Sequence, residues 1–200
     1  MNATQFRPHR IEHIPVYHFD ALSDAAKEKA REWYRQGALE YEWWDCTEED
    51  FRAIATILGV DVDHVYFSVS WSQSDYAAFT GSYRYAKGCV KAIKAYAPQD
   101  KALHDIALSL QQAQRPEFYR LTATVTCSHR GHLVVDVEDS GRPWRQWGDW
   151  QNGIDQALRD LAHWLYVTLR NEAEYLLSDE AVDESIRANE YEFDAEGKRV

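Results

Sequence analysis

The run Val65–Tyr85, VYFSVSWSQSDYAAFTGSYRY, constrains the fold of this chain more than any other stretch. Val65, Phe67, Val69 and Trp71 alternate with Tyr66, Ser68 and Ser70, and a period of two predicts a half-buried strand. Ala77, Phe79, Gly81, Tyr83 and Tyr85 alternate with Ala78, Thr80, Ser82 and Arg84, which predicts a second strand. The link Ser72-Gln73-Ser74-Asp75 consists of residues that bond their own backbone and tolerate turns. The expectation is a β-hairpin on which the other apolar segments pack, with Trp71, Gln73 and Asp75 at one end of the sheet. Gly81 predicts a bulge or a close approach by another backbone.

The remaining segments supply partners for that hairpin. Alternation at Ile14, Val16 and His18 predicts a short N-terminal strand, kept to an edge or a strand start by Pro15. Ser23 is placed to cap a helix whose Ala26, Ala30, Trp33 and Tyr34 share a face, with Gly37 as its stop. Thr47 and Asp50 resemble a capping box ahead of Phe51, Ile54, Ala55 and Leu58, a helix that Gly59 ends. Ala86–Ala97 reads as a helix with Ala86, Val90, Ile93 and Ala97 inward and Lys87, Lys91 and Lys94 on a solvated face. A further helix near Gln99–Gln114 turns Leu103, Ile106, Ala107 and Leu110 inward. Phe118–Cys127 and His132–Glu138 predict a second hairpin. Ile154, Leu158, Leu161, Leu165, Leu169 and Leu176 trace a long amphipathic helix suited to cross the sheet, and Ser178 starts a short acidic one. The fold expected is α+β: an antiparallel sheet of four to six strands with helices mainly on one face. Residues 1–200 are expected to make a single domain, with 1–12 loose and 178–200 an acidic helix and tail.

Composition narrows the function classes. With 22 basic and 33 acidic residues the net charge is −11, which argues against nucleic-acid binding by phosphate neutralisation and favours a protein partner with a basic surface. Cys46, Cys89 and Cys127 are an odd number at wide spacing, as in a reduced cytoplasmic protein. No apolar run reaches the length of a membrane span, and residues 1–19 contain no signal-peptide core. The phosphate-cradling, dinucleotide-binding, nucleophile-elbow and H-E-x-x-H motifs are all missing. Cys127, His129 and His132 match no strong zinc signature and lack an evident fourth ligand. We therefore assign no catalytic residue, metal or cofactor from the sequence.

The binding candidates are aromatic. Trp71 offers a flat apolar face beside Ser72, Gln73 and Asp75, which supply directed hydrogen bonds on a loop held by a sheet. An ordinary turn, with Trp71 in the core and Asp75 closing a local bond, is the other reading. Trp43 and Trp44 lie within EYEWWDCTEED, which has six acids and no base. They suit either a basic, stackable partner or a core contact beside a solvated helix start. Trp144 and Trp147, in the Arg142–Trp150 loop, suit an interface or a lid on the sheet edge.

The stretch Trp71-Ser72-Gln73-Ser74-Asp75-Tyr76-Ala77-Ala78-Phe79-Thr80-Gly81 resembles the W-S-Q-x-D-x-A-x-F-x-G pattern of a family of phage and prophage proteins, some labelled antitoxin-like. The resemblance continues through Ser82–Tyr85, Ala97–Asp100, Tyr41–Asp45 and Ser178–Glu184. Relatives tend to carry Gly where this chain has Ser74 and Tyr76. The resemblance implies a phage or mobile-element setting and no particular reaction. The expectation is a non-catalytic acidic protein in the host cytoplasm that binds and inhibits a host or mobile-element protein, as a defence-system inhibitor or antitoxin does. The alternative is a small-molecule or nucleotide-binding protein, enzymes included, whose Trp71–Asp75 turn lines a pocket. An exposed Trp patch favours the first, and a concavity around Trp71, Gln73 and Asp75 the second.

Overall fold

The computed structural model describes residues 15–128, 131–139 and 149–200. In chain order these form β1 (Tyr17–His18), α1 (Asp24–Arg35), α2 (Asp45–Leu58), β2 (Val60–Ser68), β3 (Tyr76–Arg84), α3 (Cys89–Tyr96) and α4 (Lys101–Gln114). There follow β4 (Leu121–Cys127), β5 (Leu133–Asp139), α5 (Asp149–Leu176), α6 (Asp179–Ala188) and β6 (Glu192–Phe193). The chain divides into two compact units, one joining residues up to Tyr41 with Glu174–Val200, the other formed by Glu42–Ala173.

The larger unit is built on a four-stranded antiparallel sheet in the order β2-β3-β4-β5. Alternation decides which side is covered. Ala77, Phe79, Tyr83, Leu121, Ala123, Val125, Leu133, Val135 and Val137 are buried against one another and against residues of α2, α4 and α5. Thr124, Thr126, Val134, Asp136 and Glu138, pointing the other way, are exposed. The helices thus cover one face, and the class is α+β. From α2 come Phe51, Ile54, Ala55 and Leu58; from α4 Leu103, Ile106, Ala107 and Leu110; from α5 Ile154, Leu158, Leu161, Leu165 and Leu169. Each full burial of such a side chain stabilises by roughly 1.5–3 kcal/mol relative to exposure.

Several boundaries differ from expectation, each for a local reason. β2 starts at Val60, directly after left-handed Gly59, because the Arg84 N–H donates to the Gly59 carbonyl at 2.8 Å and opens the ladder there. Its early part carries Asp61 and Asp63 and a register shift between Val62 and His64, which hides the alternation. The shift faces Gly81, where an added Cβ would stand 2.0 Å from the Asp61 carbonyl oxygen, so the predicted bulge and the predicted close approach coincide. β2 ends at Ser68 rather than Trp71. α2 starts at Asp45 with Trp44 at its cap and no side-chain cap bond. Thr47 therefore already lies within the helix and does not cap it with Asp50. α3 begins only after Gly88, whose φ is 87°. β4 begins at Leu121 because Phe118 and Tyr119 adopt left-handed φ values of 53° and 62°.

Gln114, fully buried, substitutes for a missing strand at the start of β4. Its Nε2 donates to the Leu121 carbonyl at 2.7 Å and its Oε1 accepts the Leu121 N–H at 3.1 Å. The amide satisfies both backbone groups on the side of β4 where the β3 ladder stops, at Arg84 opposite Thr122.

The smaller unit has its own core of Phe19, Leu22, Ala26, Ala30, Val182, Ile186 and Phe193. The N-terminal strand pairs here with β6, Tyr17 opposite Phe193 and His18 opposite Glu192, instead of extending the four-stranded sheet. Ser23 and Ser178 cap α1 and α6, accepting from the Ala26 and Ala181 N–H groups at 3.3 Å. Arg31 on α1 grips Asp183 on α6 with bonds of 2.7 and 2.8 Å. That bidentate bond outweighs desolvation and holds the guanidinium charged beyond its ordinary range, and in return it holds the Asp183 carboxyl below its own.

Candidate functional site

The loop between β2 and β3 is organised by Asp75. Its Oδ2 accepts the N–H groups of Ser70 at 2.9 Å and Ser72 at 3.1 Å. Its Oδ1 accepts the hydroxyls of Ser70 at 2.8 Å and Ser72 at 3.1 Å. The Ser72 and Ser74 hydroxyls meet at 2.9 Å, and the Asp75 N–H donates to the Ser72 carbonyl at 3.2 Å. Desolvation works against the charged carboxylate, but the bonds from Ser70 and Ser72 prevail and hold its pKa at about 2. The predicted local bond by Asp75 is therefore present, and it is a network rather than a single Asx turn.

This network sets the conformation of Trp71, whose φ is 56° and whose side chain is 50% exposed. A bulky residue in the left-handed region is uncommon and costs on the order of 1–3 kcal/mol. The alternative in which Trp71 sits in the core is thereby overturned: hydrogen bonds to Asp75 curl the chain at Ser70 and Ser72, on either side of Trp71, and leave the indole in solvent. Ser74 and Tyr76, where the resemblance has Gly, do not carry the positive φ; Trp71 does. Ser72 and Gln73 are exposed on the same loop.

The loop borders a cleft of about 310 Å³, lined among others by Asp75, Tyr76, His132, Arg159, His163 and Tyr166. Three segments meet there. β3 contributes Tyr76 at its first position, the turn into β5 contributes Gly131 and His132, and α5 contributes Arg159, His163 and Tyr166. Gly131 has φ 76°, and a Cβ on it would stand 2.0 Å from Tyr76 Cδ2, so the Tyr76 ring lies directly on the turn backbone. Arg159 Nε bonds Asp155 at 2.9 Å, and the rings of His163 and Tyr166 are 6.1 Å apart. The cleft offers imidazoles, a guanidinium and phenols to a polar ligand. Trp71 and Gln73 do not line it.

The other candidates fall elsewhere. Trp43 and Trp44 are half-buried and stack edge-to-face on each other at 5.8 Å and on Phe67 at 6.0 and 5.3 Å. Trp144, Trp147 and His129 lie outside the described residues. Among the described residues no group of three or more His, Cys, Asp or Glu side chains is placed to hold a metal. The sequence reading missed Arg159, His163 and Tyr166, although their spacing of four and three puts them on one face of α5.

The fold and loop define an α+β protein presenting an aromatic residue from a braced hairpin. Residues 43–179 match the family described as Domain of unknown function (DUF8835), and the chain belongs to that family. No curated protein and no solved structure shows a significant match to it. No helix among the described residues is long and apolar enough to cross a membrane.

Proposed function

We propose that this protein is a non-catalytic binding protein that uses the β2–β3 loop to engage another protein, a host or mobile-element protein with a basic surface. The observation that carries this is the posture of Trp71, a residue 50% exposed on left-handed backbone in a loop that Asp75 braces through Ser70 and Ser72. A large aromatic carried on a backbone that is already fixed leaves less conformational entropy to lose on docking, and tryptophan is among the residues that dominate interfaces. The net charge of −11 favours a cationic partner. The resemblance to phage and prophage proteins supports inhibition of a defence component, or antitoxin action, as the consequence of binding. The test is capture from a bacterial lysate with wild type and Trp71→Ala, then calorimetry on the purified partner. We expect Trp71→Ala to weaken binding by about 2 kcal/mol, roughly 30-fold, with unfolding unchanged. A partner bound equally by both proteins would remove the loop from the interface.

The cleft supports a second reading, binding of a small anionic molecule such as a nucleotide, because Arg159, His132 and His163 converge there. Here a thermal-shift screen of nucleotides is the test. Stabilisation by a nucleotide that Arg159→Ala abolishes and Trp71→Ala leaves intact would favour this reading.

A further inference from the structure

The smaller unit contains a concavity of its own, about 370 Å³, lined by Trp33, Tyr34, Tyr41, Tyr191 and Glu40 together with residues 36–38. Local structure explains the clustering. Trp33 and Tyr34 end α1, and the chain then turns tightly, the Gly37 N–H donating to the Tyr34 carbonyl at 3.1 Å and the Glu40 N–H to the Gly37 carbonyl at 3.2 Å. That turn brings Glu40 and Tyr41 back beside the rings. Tyr191 follows α6 and meets Trp33 edge-on, at 5.2 Å and 88°. Tyr34 stands 6.3 Å from Trp33 and 6.4 Å from Tyr191 at different tilts. The result is a set of aromatic walls at several angles with a carboxylate at the rim, the composition that receives a cation.

The chain itself shows that these rings accept one. The Arg199 guanidinium lies 5.0 Å from the Tyr191 centroid and 5.8 Å from that of Trp33, and Arg199 is not among the residues that line the cleft, so it takes a face of these rings without filling the concavity. Charge points the same way: residues 15–41 and 174–200 hold fourteen acidic and seven basic side chains. Arg31, Arg35 and Arg187 are already paired with Glu28, Asp179, Asp183 and Asp20, away from this cleft.

We propose that the cleft of Trp33, Tyr34, Tyr41, Tyr191 and Glu40 receives an arginine side chain from a basic protein partner. A guanidinium suits it better than an ammonium. It is planar, stacks on aromatic faces, is weakly hydrated and pairs with a carboxylate through two parallel bonds. The site stands on its own lining and does not depend on the Trp71 loop.

The experiment is an NMR titration of the whole protein, following the Trp33 indole N–H, assigned with Trp33→Phe. The probes are N-acetyl-Gly-Arg-Gly-amide and its citrulline counterpart, which keeps the shape and loses the charge. We expect a saturable Trp33 shift with the arginine peptide and none with the citrulline peptide. Glu40→Gln and Tyr41→Ala, both at exposed positions, each weaken the response about two- to five-fold. A silent Trp33, an equal response to citrulline, or an arginine response indifferent to Glu40→Gln would each overturn the proposal. Loss of partner capture on Trp71→Ala leaves it standing, so the two proposals fail separately.

Discussion

Gln114→Leu tests the architecture at its most exacting point. Gln114 is fully buried, and its amide bonds the Leu121 carbonyl at 2.7 Å and the Leu121 N–H at 3.1 Å. A third contact, to the Tyr83 hydroxyl at 3.4 Å, is long and adds little. Leucine has similar volume, so packing changes little and the effect isolates the hydrogen bonds. Both Leu121 backbone groups are left buried without partners, at roughly 1–3 kcal/mol each, so the variant should lose about 2–5 kcal/mol. Urea unfolding monitored by fluorescence and far-UV dichroism measures it, with the m value unchanged if only stability moved. Gln114→Glu refines the test. Its carboxylate accepts the Leu121 N–H but repels the carbonyl, and burial raises its pKa above the unfolded value of about 4.3. Its stability deficit should therefore shrink as pH falls and the carboxyl protonates to donate. A Gln114→Leu loss under about 1 kcal/mol would refute the reasoning, because Leu121 would then have other partners.

Other perturbations probe the loop, the sheet and the smaller unit. Asp75 is held at about 2, below the unfolded value near 3.9, so its contribution is complete above about pH 4 and is lost as pH falls through about 2. Amide shifts of Ser70 and Ser72 should be flat above that window and move within it, and Asp75→Asn should abolish the dependence; movement near neutrality would contradict the assignment. Gly81→Ala should destabilise by at least about 2 kcal/mol in urea titrations, since its Cβ would stand 2.0 Å from the Asp61 carbonyl oxygen. A double-mutant cycle on Arg31→Met and Asp183→Asn should give a coupling of about 1 kcal/mol or more, the cycle cancelling what the single Arg31→Met change loses where the guanidinium lies over Phe19. Additivity within about 0.3 kcal/mol would show the pair to be no better than an exposed one.

Elements with a clean period were legible in the sequence. The buried set of α4, that of α5 up to Leu169, and the inward faces of β4 and β5 follow from spacing alone, whereas Leu176, on the same stripe, is only half-buried and outside that core. Boundaries were legible where one residue decides them, as at Ser23, Gly59 and Ser178. They were lost where tertiary contacts decide. Nothing local shows that β2 begins among Asp61 and Asp63, since its ladder starts from a bond between Gly59 and distant Arg84. Phe118 and Tyr119 alternate like strand residues but are turned left-handed and exposed after α4. Both clefts were illegible for the same reason. Tyr76, His132 and His163 meet only through sheet pairing and helix packing, and Tyr191 is far in sequence from Trp33.

The position of Asp75 decides how the two readings of the larger unit must be separated. Its carboxylate both braces the loop that presents Trp71 and borders the cleft with His132 and Arg159. Removing it slackens the loop and alters the cleft wall together, so an Asp75 variant loses either activity. Trp71 and Arg159 are the informative pair, because the first stands outside the cleft and the second lines it without contributing to the hydrogen bonds around Asp75. Loss with Trp71→Ala alone assigns the loop to a protein partner. Loss with Arg159→Ala alone assigns the cleft to a ligand, since truncating a side chain exposed on α5 leaves the loop's hydrogen bonds in place. Loss with both would mean that one partner spans loop and cleft, with Asp75 holding the two in register.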